Sequence, residues 1–266
     1  MEQYKTFAES FALKAGGIIK KNFSLGMSKE WKKDNSPVTQ TDLEINSLLI
    51  EEVNNLFPTH SILAEEESDL HEGSEYVWVC DPVDGTIPFS HGIPICTFSL
   101  ALTKNGESIL GVVYDPFQER LFSATKDGGA YLNNKIIYVS KMDKFKGAVA
   151  GYEMWGSSNF NITELANYLN LDLGVKMLKL NSYIYAAMLV AAGELAFSLF
   201  PGATAHDVAT VKIIVEEAGG KVTNIYGEEQ RYDQSIQGAI ASNGILHDEL
   251  VALAKQMVKP SKLDTK

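Results

Sequence analysis

The sequence predicts an α/β fold, with an α+β N-terminal half and an α/β C-terminal half. Three observations predict it. Apolar residues recur at helical spacing across the first fifty or so positions, β-like runs separated by glycine turns fill the middle, and strands alternate with helices from Gly147 onward. The change of rhythm divides the chain near residue 146, into 1–146 and 147–266. A length of 266 residues suits one large domain or two modest ones sharing a core.

The elements follow in order. Phe7, Phe11, Ala15 and Ile18 give an amphipathic first helix over 3–22. "KKDNSPVTQTD" is turn-rich, and Thr41 with Glu44 has the spacing of a capping box for a second helix, whose buried stripe is Ile45, Leu48, Leu49, Val53 and Leu56. Pro58 stops it. "SILA" is a short strand running into Glu65, Glu66 and Glu67, and "YVWVC" a second running into "DPVDGT". "CTFSLAL", "ILGVVYD", "RLFSAT" and "GAYLNN" read as an antiparallel meander. Then come strand "AVAGY", helix "ITELANYL", strand "VKMLKL", helix "SYIYAAMLVAAG" and strand "LAFSLF". The helix "DVATVKIIVEEA", strands "KVTNI" and "AIAS", and the helix "HDELVALAKQMV" complete the chain.

Composition narrows the class. Apolar content of 45% and charged content of 21% are those of a globular chain. A formal charge of −11 without a basic stripe disfavours a nucleic-acid partner, though bound cations can reverse the sign of a local site. Cys80 and Cys96 lie in apolar runs and read as reduced core thiols. The charged N-terminus has no apolar core of a signal peptide, and the most apolar window is interrupted by Glu194, so a cytoplasmic protein without membrane attachment is expected.

The chemistry concentrates after Cys80. Asp81 and Asp84 at a strand end can aim oxygens at one point, with the Val83 carbonyl between them. Such oxygen-only donors suit Mg2+. Gly85 lets backbone come close, the amides of Gly85 and Thr86 can meet a phosphate oxygen, and Pro88 fits a first helical turn. Asp, Pro and Gly also make plain surface turns, so this stretch alone leaves both readings open. A phospho-aspartyl mechanism with its D-x-D-G-T spacing is disfavoured, because the residue two before Asp84 is Pro82. Taken singly, the glutamates at 65–67 read as a solvated loop, while Asp42 and Asp207 are explained by helix capping and the helix dipole.

Taken together, "AEEES", "CDPVDGT" and "HDVATVKIIVEEAGG", with "SPVTQTD" upstream, resemble in order and spacing the inositol monophosphatase family of Mg2+-dependent, Li+-sensitive phosphatases. The resemblance runs from about Lys33 to Gly220. It implies a layered αβαβα sandwich of the sugar-phosphatase type and a Mg2+-dependent phosphomonoesterase acting on a small phosphorylated metabolite. It further implies two or three Mg2+ ions per site, with Glu65, Asp81 and the Val83 carbonyl on the first and Asp81, Asp84 and Asp207 on the second. Asp42 and Thr86 would orient and deprotonate the attacking water, and Gly85, Thr86, Ser182 and Asp207 would border the substrate. Family habit implies a homodimer.

The match departs in places. The family's Gly-Thr-x-Asn-Phe reads "GTIPF" here, with Pro88 for Asn. The acidic residue seven positions before the helix Asp, which binds sugar hydroxyls, is Phe200. His206 precedes Asp207, and both His206 and His91 read as packing histidines because Mg2+ favours oxygen donors. Ser182 also fits a plain N-cap. Inositol monophosphate therefore stands beside 3'-phosphoadenosine 5'-phosphate, histidinol phosphate and fructose 1,6-bisphosphate as candidate substrate. A metal enzyme of another reaction type and a catalytically idle binding or regulatory member are the rival readings. The complete set Asp42, Glu65, Asp81, Asp84, Thr86 and Asp207 argues against idleness.

Overall fold

A computed structural model describes residues 1–32, 36–155 and 158–261; Lys33, Asp34 and Asn35 of the turn-rich stretch lie outside the described residues. The chain opens with α1 (Glu2–Asn22), a small antiparallel pair β1 (Lys29–Trp31) and β2 (Pro37–Thr39), and α2 (Gln40–Leu56). A seven-stranded sheet follows: β3 (Ser61–Ala64), β4 (Tyr76–Asp84), β5 (Thr97–Lys104), β6 (Glu107–Asp115), β7 (Arg120–Thr125), β8 (Ala130–Leu132) and β9 (Lys135–Ile136). The short helix α3 (Thr86–Ser90) sits between β4 and β5. β3 and β4 are parallel, and the strands from β4 to β9 form the expected antiparallel meander.

The second half contributes β10 (Val149–Tyr152), β11 (Phe160–Asn161), α4 (Thr163–Asn167) with a following π-helical turn, β12 (Lys176–Leu178) and α5 (Tyr183–Ala191). Then come β13 (Phe197–Phe200), α6 (Ala209–Glu217), β14 (Lys221–Thr223), β15 (Ala239–Ser242), α7 (His247–Met257) and β16 (Lys259–Pro260). Five of these strands form a sheet in the order β12-β10-β13-β15-β14, with β10 parallel to β12 and β13. The two-residue strands β11 and β16 pair with each other.

Alternation along the strands builds the layers. β4 sends Trp78 and Cys80 to one face, where they meet Phe7 and Phe11 of α1 and Ile45, Leu49 and Val53 of α2. It sends Val77 and Val79 to the other, where they meet Met188 and Val190 of α5 and Val211 and Ile214 of α6. Ala239 and Ala241 of β15 close that central layer from the second sheet, while Ile240 faces outward with Leu165, Leu250 and Ala254. The result is the αβαβα sandwich, with one central core spanning both halves. Gly111 allows the close contact of α6 on β6, since a Cβ there would lie 2.6 Å from Ile213. No helix among the described residues is long and apolar enough to cross a membrane.

Three local expectations are corrected. The capping box of α2 is Thr39 with Asp42, not Thr41 with Glu44: Thr39 accepts from the Thr41 amide and Asp42 accepts from the Thr39 amide. The extended backbone of Thr39, the last residue of β2, places the cap two residues earlier. The strand expected to end at Cys80 continues to Asp84, because β5 keeps pairing with it. Asp207 caps no helix; it sits in a 3-10 turn (Ala205–Asp207) ahead of α6, whose N-cap is Val208.

Candidate active site

The carboxylates of β4 owe their aim to a bulge. Asp81 faces Ser99 and Asp84 faces Thr97, so three steps on β4 oppose two on β5. Asp81 Oδ1 accepts from the Val83 amide at 3.0 Å, and the Thr86 hydroxyl donates to the Val83 carbonyl at 2.9 Å. Gly85 then turns the chain into α3 with φ +92°; a Cβ there would meet the Ile95 carbonyl at 2.9 Å, so glycine is required on both counts.

Two groups of carboxylates result. One oxygen each from Asp81, Asp84 and Asp207 lie within 4.8 Å of one another, as do one each from Asp42, Glu65 and Glu66. Asp84 Oδ2 accepts from the Ser182 hydroxyl at 2.5 Å, the Tyr185 amide at 3.3 Å and the Thr97 hydroxyl at 3.3 Å. Asp207 accepts from the Thr204 hydroxyl, with His206 Nε2 3.6 Å away. Asp42 Oδ2 accepts from the Thr39 amide and hydroxyl at 2.9 and 2.5 Å, while its buried Oδ1 has no partner among the described residues. Lys32 reaches both Glu65 (2.8 Å) and Glu66 (2.6 Å).

Burial and mutual repulsion raise these carboxyls. Burial first, then the Glu65 charge against the opposing bonds from Thr39, lifts Asp42 to about 7. Burial and the Asp207 charge lift Asp84 to about 8. Burial pushes Asp81 well up, with Glu65 and Asp84 adding to it, and raises Asp207 although His206 and Thr204 oppose. Burial alone would lower Lys32; the two glutamates outweigh it and raise it. A set of buried and half-buried oxygen donors short of positive charge is the chemistry of a hard-cation site.

The sequence-derived residues are partly reunited. Asp81, Asp84 and Asp207 converge as expected, whereas Glu65 groups with Asp42 and Glu66 and acts on Asp81 through its charge. Thr86 bonds Val83 rather than Asp42. Ser182 opens α5 but caps nothing, its hydroxyl going to Asp84 instead. His91 sits on the end of α3 against the Ile87 carbonyl and Lys29. Sequence reading missed Lys32, Thr97 and Glu153. Nothing local marks the first two; Glu153, an acid ending an apolar strand, repeats the pattern of Asp81 and was readable.

Carboxylates gathered at the strand ends of a layered αβαβα fold form an arrangement of the kind metal-dependent hydrolases use. A sequence model of the inositol monophosphatase family matches residues 1–259, and the chain belongs to that family. It is 34% identical to inositol monophosphatase 1 of Solanum lycopersicum, covering 94% of each chain. It is 33% identical to a fructose-1,6-bisphosphatase/inositol-1-monophosphatase of Thermotoga maritima, covering 84% of each. Among solved structures, an IMPase of Thermotoga maritima superposes with a TM-score of 0.84 at 28% identity, over 97% of this chain and 98% of that one.

Proposed function

We propose that this phosphatase hydrolyses a small phosphorylated metabolite with Mg2+ held by Glu65, Asp81, the Val83 carbonyl, Asp84 and Asp207, two or three ions to a site. The observation that carries the reading is the convergence of Asp81, Asp84 and Asp207 within 4.8 Å, the first two buried and the third half-buried, with oxygen donors alone. Bound there, Mg2+ supplies positive charge that acidifies a water and offsets the charge on the phosphate. Asp42 takes the water's proton at Oδ1, which has no other partner among the described residues. The Thr86 hydroxyl, whose hydrogen is committed to the Val83 carbonyl, orients that water by accepting from it. Gly85, Ser182 and Asp207 border the phosphate. Ser182 also fixes Asp84, so the ligand oxygen does not swing. A homodimer, following the habit of the family, and a cytoplasmic location complete the reading.

The test is phosphate release from inositol monophosphate, 3'-phosphoadenosine 5'-phosphate, histidinol phosphate and fructose 1,6-bisphosphate, each with Mg2+ and with chelator. Turnover of at least one, abolished by chelator, is the expected result. Turnover that survives the chelator would overturn the metal assignment, and silence on all four would bring forward the idle member.

A further inference from the structure

β10 and β13 run parallel, with Gly151 facing Ser198 and Tyr152 facing Leu199, so their C-terminal ends lie together near the start of α5. In an α/β sheet that edge is where ligands sit. Three aromatic rings gather there. Tyr183 and Phe200 have centroids 4.8 Å apart, and Trp155 lies 5.7 Å from Phe200. Tyr183 directly follows Ser182, which holds Asp84, and lies in the field of both Asp207 and Asp84. Tyr183 and Phe200 are buried, while Trp155 ends the row with 41% of its surface open. Two polar atoms of this edge have no partner among the described residues: Tyr183 Oη and Glu153 Oε1, in residues 2% and 4% exposed. Glu153 follows β10 directly and bonds the Leu199 carbonyl through its amide.

We propose that this aromatic row receives the leaving-group half of the substrate, and that this half is a flat heteroaromatic ring carrying an N–H donor rather than a bare polyol. The inference rests on the phosphomonoesterase reading and specifies its substrate class. A polyol needs a fixed polar partner for each hydroxyl it buries, and a site built that way discriminates through those partners. Phe200 and Tyr183, buried, back the row with carbon where a polyol would need hydroxyl partners, and Trp155, 41% exposed, is the ring open for stacking. Glu153 Oε1 is the acceptor left for a ring N–H.

A matched pair of substrates tests this. Adenosine 5'-monophosphate and ribose 5-phosphate carry the same phosphate on the same primary alcohol and differ by the base. With Mg2+ present, the ratio of their kcat/KM values should favour the nucleotide by about tenfold, the order of one aromatic stacking contact. The ratio should fall toward one in Trp155→Ala and in Trp155→Leu, the second keeping a large apolar side chain if the first folds poorly. Trp155→Phe, which keeps a ring, should retain most of the preference. Equal turnover of the two esters by the wild-type enzyme, or a preference that Trp155→Ala and Trp155→Leu leave intact, would overturn the substrate class while the phosphatase stands. Failure to release phosphate from these and from the polyol phosphates alike would overturn the phosphomonoesterase reading, and the substrate class with it.

Discussion

The Ser182 hydroxyl donates to Asp84 Oδ2 at 2.5 Å, joining residues 98 positions apart in the chain. The bond ties the start of α5, in the second half, to the bulged end of β4, in the first. Tyr185, three residues on, adds its amide to the same oxygen. The site thus exists only when the two sheets have closed on α5 and α6, and the central core that closes them also sets its geometry.

Ser182→Ala tests that tie. The variant keeps the Tyr185 and Thr97 donors, so Asp84 stays in place but less firmly. The Mg2+ concentration for half-maximal activity should rise about tenfold, the usual effect of losing a group that orients a ligand. Stability should fall by about 1 kcal/mol. An unchanged Mg2+ requirement would show that the hydroxyl serves the fold alone.

Asp84→Asn tests the carboxylate itself. The amide matches its shape and removes a charge that burial and Asp207 oppose, so metal-free protein should melt no lower than wild type. Phosphate release should drop by about a hundredfold or more, because a charged ligand is gone. If the variant retains most of its turnover, Asp84 holds no catalytic cation.

Metal binding should also be visible without substrate. Asp81, Asp84 and Asp207 crowd their carboxylates together, and a cation bound only by the folded state stabilises it by mass action. At about a hundred times its dissociation constant, Mg2+ should add about 3 kcal/mol, raising the melting temperature by several degrees. Thermal melts with Mg2+ and with chelator make the comparison, and Asp84→Asn should lose most of the difference. Superposable wild-type curves would count against a cation at these residues.

The layers were legible because burial leaves a period in the sequence. The alternation Val77, Trp78, Val79, Cys80 serves both faces of a buried strand, and the Ile45, Leu49, Val53 stripe serves one face of a helix. Caps and exact ends were not, because they depend on pairing at a distance. Thr39 rather than Thr41 caps α2 since β2 delivers it in extended form, and β4 outlasts its apolar run because β5 continues beside it. At the site, Asp81 and Asp84 stood out through their spacing, but Asp207 looked like an ordinary helix start. Lys32, reaching Glu65 and Glu66 from 33 and 34 positions away, has no local signature at all.

A last prediction concerns a histidine remote from the carboxylates. His247 is fully buried at the start of α7, with Nε2 3.0 Å from the Thr223 hydroxyl and Nδ1 2.8 Å from Ser242 Oγ. Thr223 donates its own hydrogen to the Asn224 carbonyl, so it accepts from Nε2–H, and Nδ1 accepts from Ser242. The neutral ring satisfies both partners. Burial first, then the charge of Lys221, lowers its pKa to about 4, against about 6.5 in an unfolded chain. Between those values the unfolded chain binds a proton that the folded chain refuses. The contribution is therefore complete above about pH 6.5 and is lost as pH falls toward 4, up to about 3 kcal/mol in all. His247→Gln should be less stable than wild type at pH 7.5 by about 1–2 kcal/mol, for the hydrogen bonds it makes poorly. That deficit should shrink or reverse at pH 5, where wild type alone bears the cost of keeping the ring neutral. Urea unfolding of both proteins at the two pH values measures it, and a deficit that stays constant would mean that His247 titrates normally in the folded protein.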